Sequence, residues 1–298
     1  MNAHFYKYIL SAGFMGILLA GSGCSNEAYL PDQGEAEADA DRMTFLVAHP
    51  AQQTTTRVTS TAFEANDTIG LYITLQDQTL ELADNYVNNA PLVFDGNQWT
   101  PNRTIYWNNG TYDIYAYYPF DTPLTSVEDA PFSVATDQNA EGGYEASDFL
   151  WAGSKAVSAS NGQVSLQFQH RMSRLLIKLI KGEDYEGDLP EDAEVYIHNT
   201  VPSSTIDLSV GVVTRNAYGS VKSIRACSLG DHKYAAIIVP QRLDNRQPLV
   251  EVIMKGVSYL YESKFQFKQG IQHSLQLAVS KNPEQVKIEI GGEVENWD

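Results

Sequence analysis

Cys24 is the residue whose setting most directly predicts chemistry. Lys7 precedes an almost wholly apolar stretch from Ile9 to Ala20, the small residues Gly21, Ser22 and Gly23 follow, and the cysteine opens a polar, acidic segment. This is the layout of a secretory signal ending in a lipobox, where the thiol of Cys24 takes a lipid once residues 1-23 are cleaved away. The apolar run is too short to span a bilayer, which needs about twenty such residues. With Cys24 acylated, Cys227 has no intrachain partner and no disulfide staples the exported chain. Its neighbours Ile224, Ala226 and Leu229 suit a buried, inert thiol.

Other reactive groups are dispersed. His4, His49, His170, His198, His232 and His273 occur singly, none within five residues of another as a local zinc site would favour. The chain carries no G-x-S-x-G elbow, Walker loop, H-E-x-x-H or C-x-x-C, and its many acids single out no pair for acid–base work. Glu35, Glu37, Asp39 and Asp41 alternate with alanine and lack the glycine turn of a calcium loop. The reading is therefore non-enzymatic, with no catalytic residue, no metal and no cofactor. A net charge of -17, from 37 acidic against 20 basic residues, excludes nucleic acid, whose phosphates need a positive footprint. It also excludes a polybasic membrane grip, which leaves the lipid on Cys24 as the only hold on the outer membrane.

The elements that must carry these groups read as strands. Residues 24-42 form an acidic tether with six acids between Ser25 and Asp41. Beyond it come short runs of two-residue alternation rich in Val, Ile, Thr and Tyr. The predicted strands are 44-49, 68-75, 112-118, 164-170, 175-179, 193-198, 234-239, 249-254, 259-267, 274-279 and 286-290. Turn signals fall at Asn88-Asn89, Asp95-Gly96-Asn97, Asn108-Asn109-Gly110, Gly142-Gly143 and Asn161-Gly162. Many short strands with no long helical period predict an all-β fold of two β-sandwiches. The polar stretch Lys181 to Pro190 divides them, giving an N-terminal domain at 43-182 and a C-terminal domain at 183-298.

Aromatic residues concentrate in the first half: Trp99, Tyr106, Trp107, Tyr112, Tyr115, Tyr117, Tyr118 and Trp151. In Tyr112 to Tyr118, Ile114, Ala116 and Tyr118 share one face and Tyr115 and Tyr117 the other, and both faces are apolar enough to pack. Buried Trp107, Tyr115 and Tyr117 favour a structural protein. An exposed coplanar set such as Trp99 with Tyr106 favours a glycan-binding platform.

The order of motifs resembles the fimbrillin family of Bacteroidetes surface lipoproteins. The resemblance rests on Phe63 to Ile73, Tyr106-Trp107, Tyr112 to Pro119, Ser147 to Ala152, Leu166 to Leu175, Pro202 to Leu208, Ile237 to Gln241 and the closing Asn296-Trp297. It implies two tandem transthyretin-like β-sandwich domains in a structural or adhesive subunit of surface pili, located at the outer membrane and in the fimbrium. It further implies a protease that cuts after an arginine, removes the first strand and opens a groove filled by another subunit's strand. The matching parts here are the removable strand Thr44, Phe45, Leu46, Val47, Ala48 and His49, and cleavage after Arg57. Arg42 is the second candidate, although a cut there leaves the strand in place. Val286, Ile288 and Ile290 alternate with charged residues as a donor strand does. The partners implied are other pilin subunits by strand addition and a host protein or glycan receptor. The alternative from another class is a non-polymerising, glycan-binding outer-membrane lipoprotein.

Overall fold

A computed structural model describes residues 41-50, 62-282, 287-290 and 294-297. Residues from Asp41 onward form one compact unit, and every regular element described in it is a strand apart from single turns of 3-10 helix at Glu145–Ser147 and Ala159–Asn161. The first strands are β1 (Thr44–Ala48), β2 (Thr68–Leu75), β3 (Val87–Phe94), β4 (Trp99–Pro101), β5 (Tyr112–Tyr118), β6 (Ala130–Ser133) and β7 (Leu150–Val157). Next come β8 (Gln163–Gln167), β9 (Gln169–His170), β10 (Ser173–Lys181), β11 (Glu194–Thr200), β12 (Ser203–Asp207), β13 (Val212–Arg215) and β14 (Lys222–Arg225). The last are β15 (Cys227–Ser228), β16 (Lys233–Ile238), β17 (Gln241–Met254), β18 (Val257–Phe267), β19 (Ile271–Val279), β20 (Lys287–Ile290) and β21 (Val294–Asn296).

Two cores organise these strands. The first lies between the sheet β4-β3-β2-β5-β7-β9 and the two-stranded sheet β1-β8, and is filled by Ile69, Leu71 and Ile73 from β2, Ile114 and Ala116 from β5, and Val164 and Leu166 from β8. The second is shared by the sheet β15-β16-β10-β19-β20 and the sheet β14-β11-β17-β18, with Leu175, Ile177, Val195, Ile197, Val250, Val252 and Leu277 at its centre. Tyr72, Tyr115 and Tyr117, on the opposite face of β2 and β5, belong to this second core. The period-two pattern thus puts aliphatic residues of β5 into one core and tyrosines into the other, and the strand is buried on both faces.

The chain changes sheets at two places where the sequence reads as continuous. Residues 164-170 form two strands, because Phe168 turns from the β1 side, donating its N–H to the Ala48 carbonyl, and Gln169–His170 then pairs with β7. β10 lies ahead of the polar connector yet hydrogen-bonds to β16 and β19, so the change of strand partners falls before Ser173. Asn88-Asn89 is not a turn between strands but a bulge inside β3. Asn89 takes φ +40°, the register against β2 shifts there, and its side-chain amide is held by the Tyr117 hydroxyl and the Asp121 carbonyl. Asparagine tolerates this left-handed geometry, which is why it marks both turns and bulges.

Side-chain amides complete the ladders where strands end. Gln138 exchanges two hydrogen bonds with the backbone of Ile237, at 2.6 and 2.8 Å, and Gln241 does the same with Val201, at 2.9 and 3.1 Å. Both are buried, and each satisfies a backbone N–H and C=O that burial would otherwise penalise.

Candidate functional site

The candidate site is the short first strand and the groove that holds it. β1 runs parallel to β8, with Phe45 opposite Val164 and Val47 opposite Leu166, and pairs with no other named strand. Just before it, Met43 donates to the Ile105 carbonyl and Trp107 to the Asp41 carbonyl, at 2.8 and 2.6 Å. Alternation then sorts the side chains. Phe45 points inward at 8% exposure, Leu46 points outward at 56%, and Met43 is buried beside Ile105 and Trp107. The strand therefore contributes Phe45, and Val47 in part, to the first core through a pairing with a single narrow partner, and Met43 just ahead of it adds a second buried side chain.

His49 closes the strand. Its ring meets Phe63 edge-on at 4.8 Å and lies 6.1 Å from His170. Burial lowers its pKa, and His170 adds to the lowering. His273, packed against Phe265 at 5.1 Å, is lowered by burial and by Lys268. A histidine whose folded pKa lies below its unfolded value of 6.5 binds its proton more readily in the unfolded chain. Stability is then full above about pH 6.5 and falls as pH drops below it, by at most about 1.4 kcal/mol per pH unit for each histidine. Thermal unfolding between pH 7.5 and 5 is expected to show this loss, with a shallower slope in His273→Gln; an unchanged slope would remove His273 from the account.

Arg42 is exposed and bridges Tyr106. A cut after it leaves Thr44–Ala48 in its groove. Cys24, Arg57 and Val286 lie outside the described residues. Ile288 and Ile290 stand in β20, opposite Leu277 and Gln276 of β19, and β21 continues the same antiparallel edge against Ile271–His273. Trp297 follows at once. Its N–H donates to the Gly270 carbonyl, and its ring is 4% exposed and stacked on His170 at 3.9 Å, with the Arg174 guanidinium 5.7 Å from its centre. His170 is in turn fixed by Asp148, whose carboxylate is 2.9 Å from Nδ1.

The aromatic cluster is core. Trp107, Tyr112, Tyr115 and Tyr117 are buried. Trp99 is half-buried against Phe63 and Phe94, and the Trp151 ring lies over Gly153 and Gly211 with Nε1 donating to the Leu208 carbonyl. Tyr106, at 46% exposure, projects singly. Cys227 is half-buried, and burial raises its thiol pKa.

One polar constellation gave no signal in the spacing of the sequence. On the outer face of the β14-β11-β17-β18 sheet, Ser223 contacts His198 Nδ1 at 2.6 Å, His198 Nε2 contacts Glu251 at 2.9 Å, and Ser258 donates to the other Glu251 oxygen at 2.5 Å. They border an open cleft of about 400 Å³ with Val221, Pro248 and Leu260. The Ser258 hydroxyl and His198 hold the Glu251 carboxyl below its ordinary pKa. Hydroxyl, imidazole and carboxylate occur here in relay order, but the second serine occupies the remaining carboxylate oxygen and the four residues come from four adjacent strands. This is the form of a cross-strand network tying a sheet together. Among the described residues no three His, Cys, Asp or Glu side chains converge as metal ligands.

An all-β chain with a short first described strand paired to one neighbour, and an antiparallel edge strand near residue 290, defines a class of strand-built β-sandwich proteins. The sequence profile of the fimbrillin-like family matches residues 56–297, and the chain belongs to that family. A protein of Bacteroides ovatus named as a candidate fimbrium tip subunit, Fim1C, is 28% identical over 192 residues; the match covers 58% of this chain and 35% of that protein, so this chain spans about a third of its length. Two crystal structures of candidate cell adhesion proteins share the fold. One, from Bacteroides uniformis, has a TM-score of 0.66 at 20% identity, covering 86% of this chain and 98% of the other. One from Bacteroides ovatus has 0.65 at 17% identity, covering 86% and 97%.

Proposed function

We propose that this chain is a non-enzymatic structural or adhesive subunit of surface fimbriae, held at the outer membrane by lipid on Cys24 and made competent for assembly by cleavage after Arg57. The cut releases Thr44–His49 and opens the groove beside β8 to a strand from another subunit, while the chain folds as two sandwiches in series. The observation that carries this reading is β1 and the residue before it: Met43 and Phe45 are buried, yet β1 pairs with β8 alone among the named strands. A strand so placed leaves an apolar stripe and an open sheet edge when it departs, the two features that strand addition completes. Family membership and the naming of the Bacteroides ovatus relative as a candidate tip subunit support the fimbrial role. Burial of the aromatic cluster speaks against a glycan platform built from it.

The test is intact mass and N-terminal sequencing of the protein from the surface fraction of the producing cell, with and without an arginine-specific protease. The expected product is an acylated chain starting at Cys24 that becomes one starting at Val58, with ladders on unboiled gels. An acylated monomer that survives uncut would overturn the strand-exchange mechanism.

A further inference from the structure

The sheet β14-β11-β17-β18 ends on an open edge. β18 pairs with β17 along its length, and among the described residues no strand lies on its other side. The register shifts of this hairpin, between Leu243 and Gln247 and between Pro248 and Val250, insert extra residues into β17 and leave β18 an uninterrupted strand of 11 residues. Such an edge presents a row of free backbone donors and acceptors, and proteins ordinarily blunt it with bulges, proline or unmatched charge. None of the first two is present in Val257–Phe267.

The residues along this edge complement themselves about Ser263. One step away stand Glu262 and Lys264, two steps away Tyr261 and Phe265, and four steps away Tyr259 and Phe267. An antiparallel copy centred on Ser263 puts Glu262 opposite Lys264 of the second chain and Tyr261 opposite its Phe265, each twice. Pairs of equal offset lie on the same face of a sheet. Burial agrees with that division, since Glu262 and Lys264 are exposed on the outer face, whereas Tyr261 and Phe265 are half-covered at the rim of the second core. Glu262 has one loose partner, Arg246 at 3.6 Å on the neighbouring strand, and Lys264 has no ion pair among the described residues.

We propose that β18 is a self-association edge, joining two copies of this chain as antiparallel strands related by a two-fold axis through Ser263. Each copy satisfies the other's backbone groups, covers the half-exposed Tyr261 and Phe265, and closes two Glu262–Lys264 pairs. The contact uses no residue of the first strand or its groove, so it stands whether or not the chain is cut after Arg57.

The experiment is sedimentation of the uncut full chain in density-matched detergent, as a concentration series at about 0.15 M ionic strength, where the repulsion between acidic copies is screened beyond about 8 Å. The wild type is expected to show a concentration-dependent dimer. Glu262→Lys and Lys264→Glu should each place like charges opposite one another twice and weaken it about tenfold. The double variant E262K/K264E should restore it, because the swapped charges again face opposites, and both sites are exposed enough to leave the fold intact. Directly opposed Cα atoms of an antiparallel pair are about 4.5–5.5 Å apart, within disulfide reach. Ser263→Cys in a Cys227→Ser background is therefore expected to form an interchain disulfide mapped to position 263. A monomer at every concentration, a dimer indifferent to the single charge reversals, or no linkage at position 263 would overturn the proposal.

Discussion

A chain that begins at Val58 is expected to melt about 10–20 °C below one that retains residues 41-57, and to recover most of the difference when a peptide spanning residues 42-50 is added. Removing the first strand withdraws Met43 and Phe45 from the first core and uncovers the side chains they pack against, including Val164, Leu166, Ile105 and Trp107. Burial of two large apolar side chains contributes roughly 4–6 kcal/mol, against a total stability of about 5–15 kcal/mol for a domain. At about 2–4 °C per kcal/mol for a chain of this size, the shift follows. A matching peptide restores the lost burial and the parallel pairing to Gln163–Gln167, and binding to the folded form alone raises stability by mass action. Phe45→Asp in the peptide should abolish the rescue, since the residue opposite Val164 enters the core at 8% exposure. Calorimetry of the truncated chain with each peptide measures this directly. An unchanged melting temperature on truncation would show that β1 is an ornament of the sheet and not its missing piece.

What the sequence made legible was the class of element and, in several places, its faces. The alternation in Tyr112–Tyr118 identified both a strand and a division of its side chains between two apolar surroundings, because period-two geometry is local. Leu150–Val157 is absent from the predicted strands, and the glycine in its middle is explained only by the fold: Gly153 lets the Trp151 ring lie across it, a contact that a Cβ would block at 2.5 Å. Val87–Phe94 was missed because Asn88-Asn89 is equally good chemistry for a turn and for a bulge. Partner choice was not legible at all. β1 pairs in parallel with a strand more than a hundred residues away, and β10 joins the far side of the polar connector, because both are decided by which apolar stripe they cover. The Ser223–His198–Glu251–Ser258 row shows the same limit, since its members stand on four strands and share only a face of one sheet.

Trp297→Ala is expected to lower the melting temperature by about 10 °C and to free the C-terminal edge strand. The Trp297 ring is buried, stacked on His170 and set beside the Arg174 guanidinium, and its indole N–H has no hydrogen-bond partner among the described residues, so its contribution is packing. Truncating a buried tryptophan to alanine costs about 3–5 kcal/mol, and here it also opens buried Arg174 to water. The loss is local. Among the described residues β21 and the Trp297 N–H pair along Ile271–His273 and at Gly270, so amide exchange should accelerate there before it changes in β10 or β16. Trp297→Phe, which keeps a ring against His170, should recover most of the loss. The same residue bears on assembly, because a strand that donates to a neighbour must first leave its own sheet. If residues 287-296 donate, the alanine variant cut after Arg57 polymerises faster than the wild type, since leaving costs less. A lower melting temperature with unchanged polymerisation would assign the donor strand elsewhere and make Trp297 the lock that keeps this edge at home.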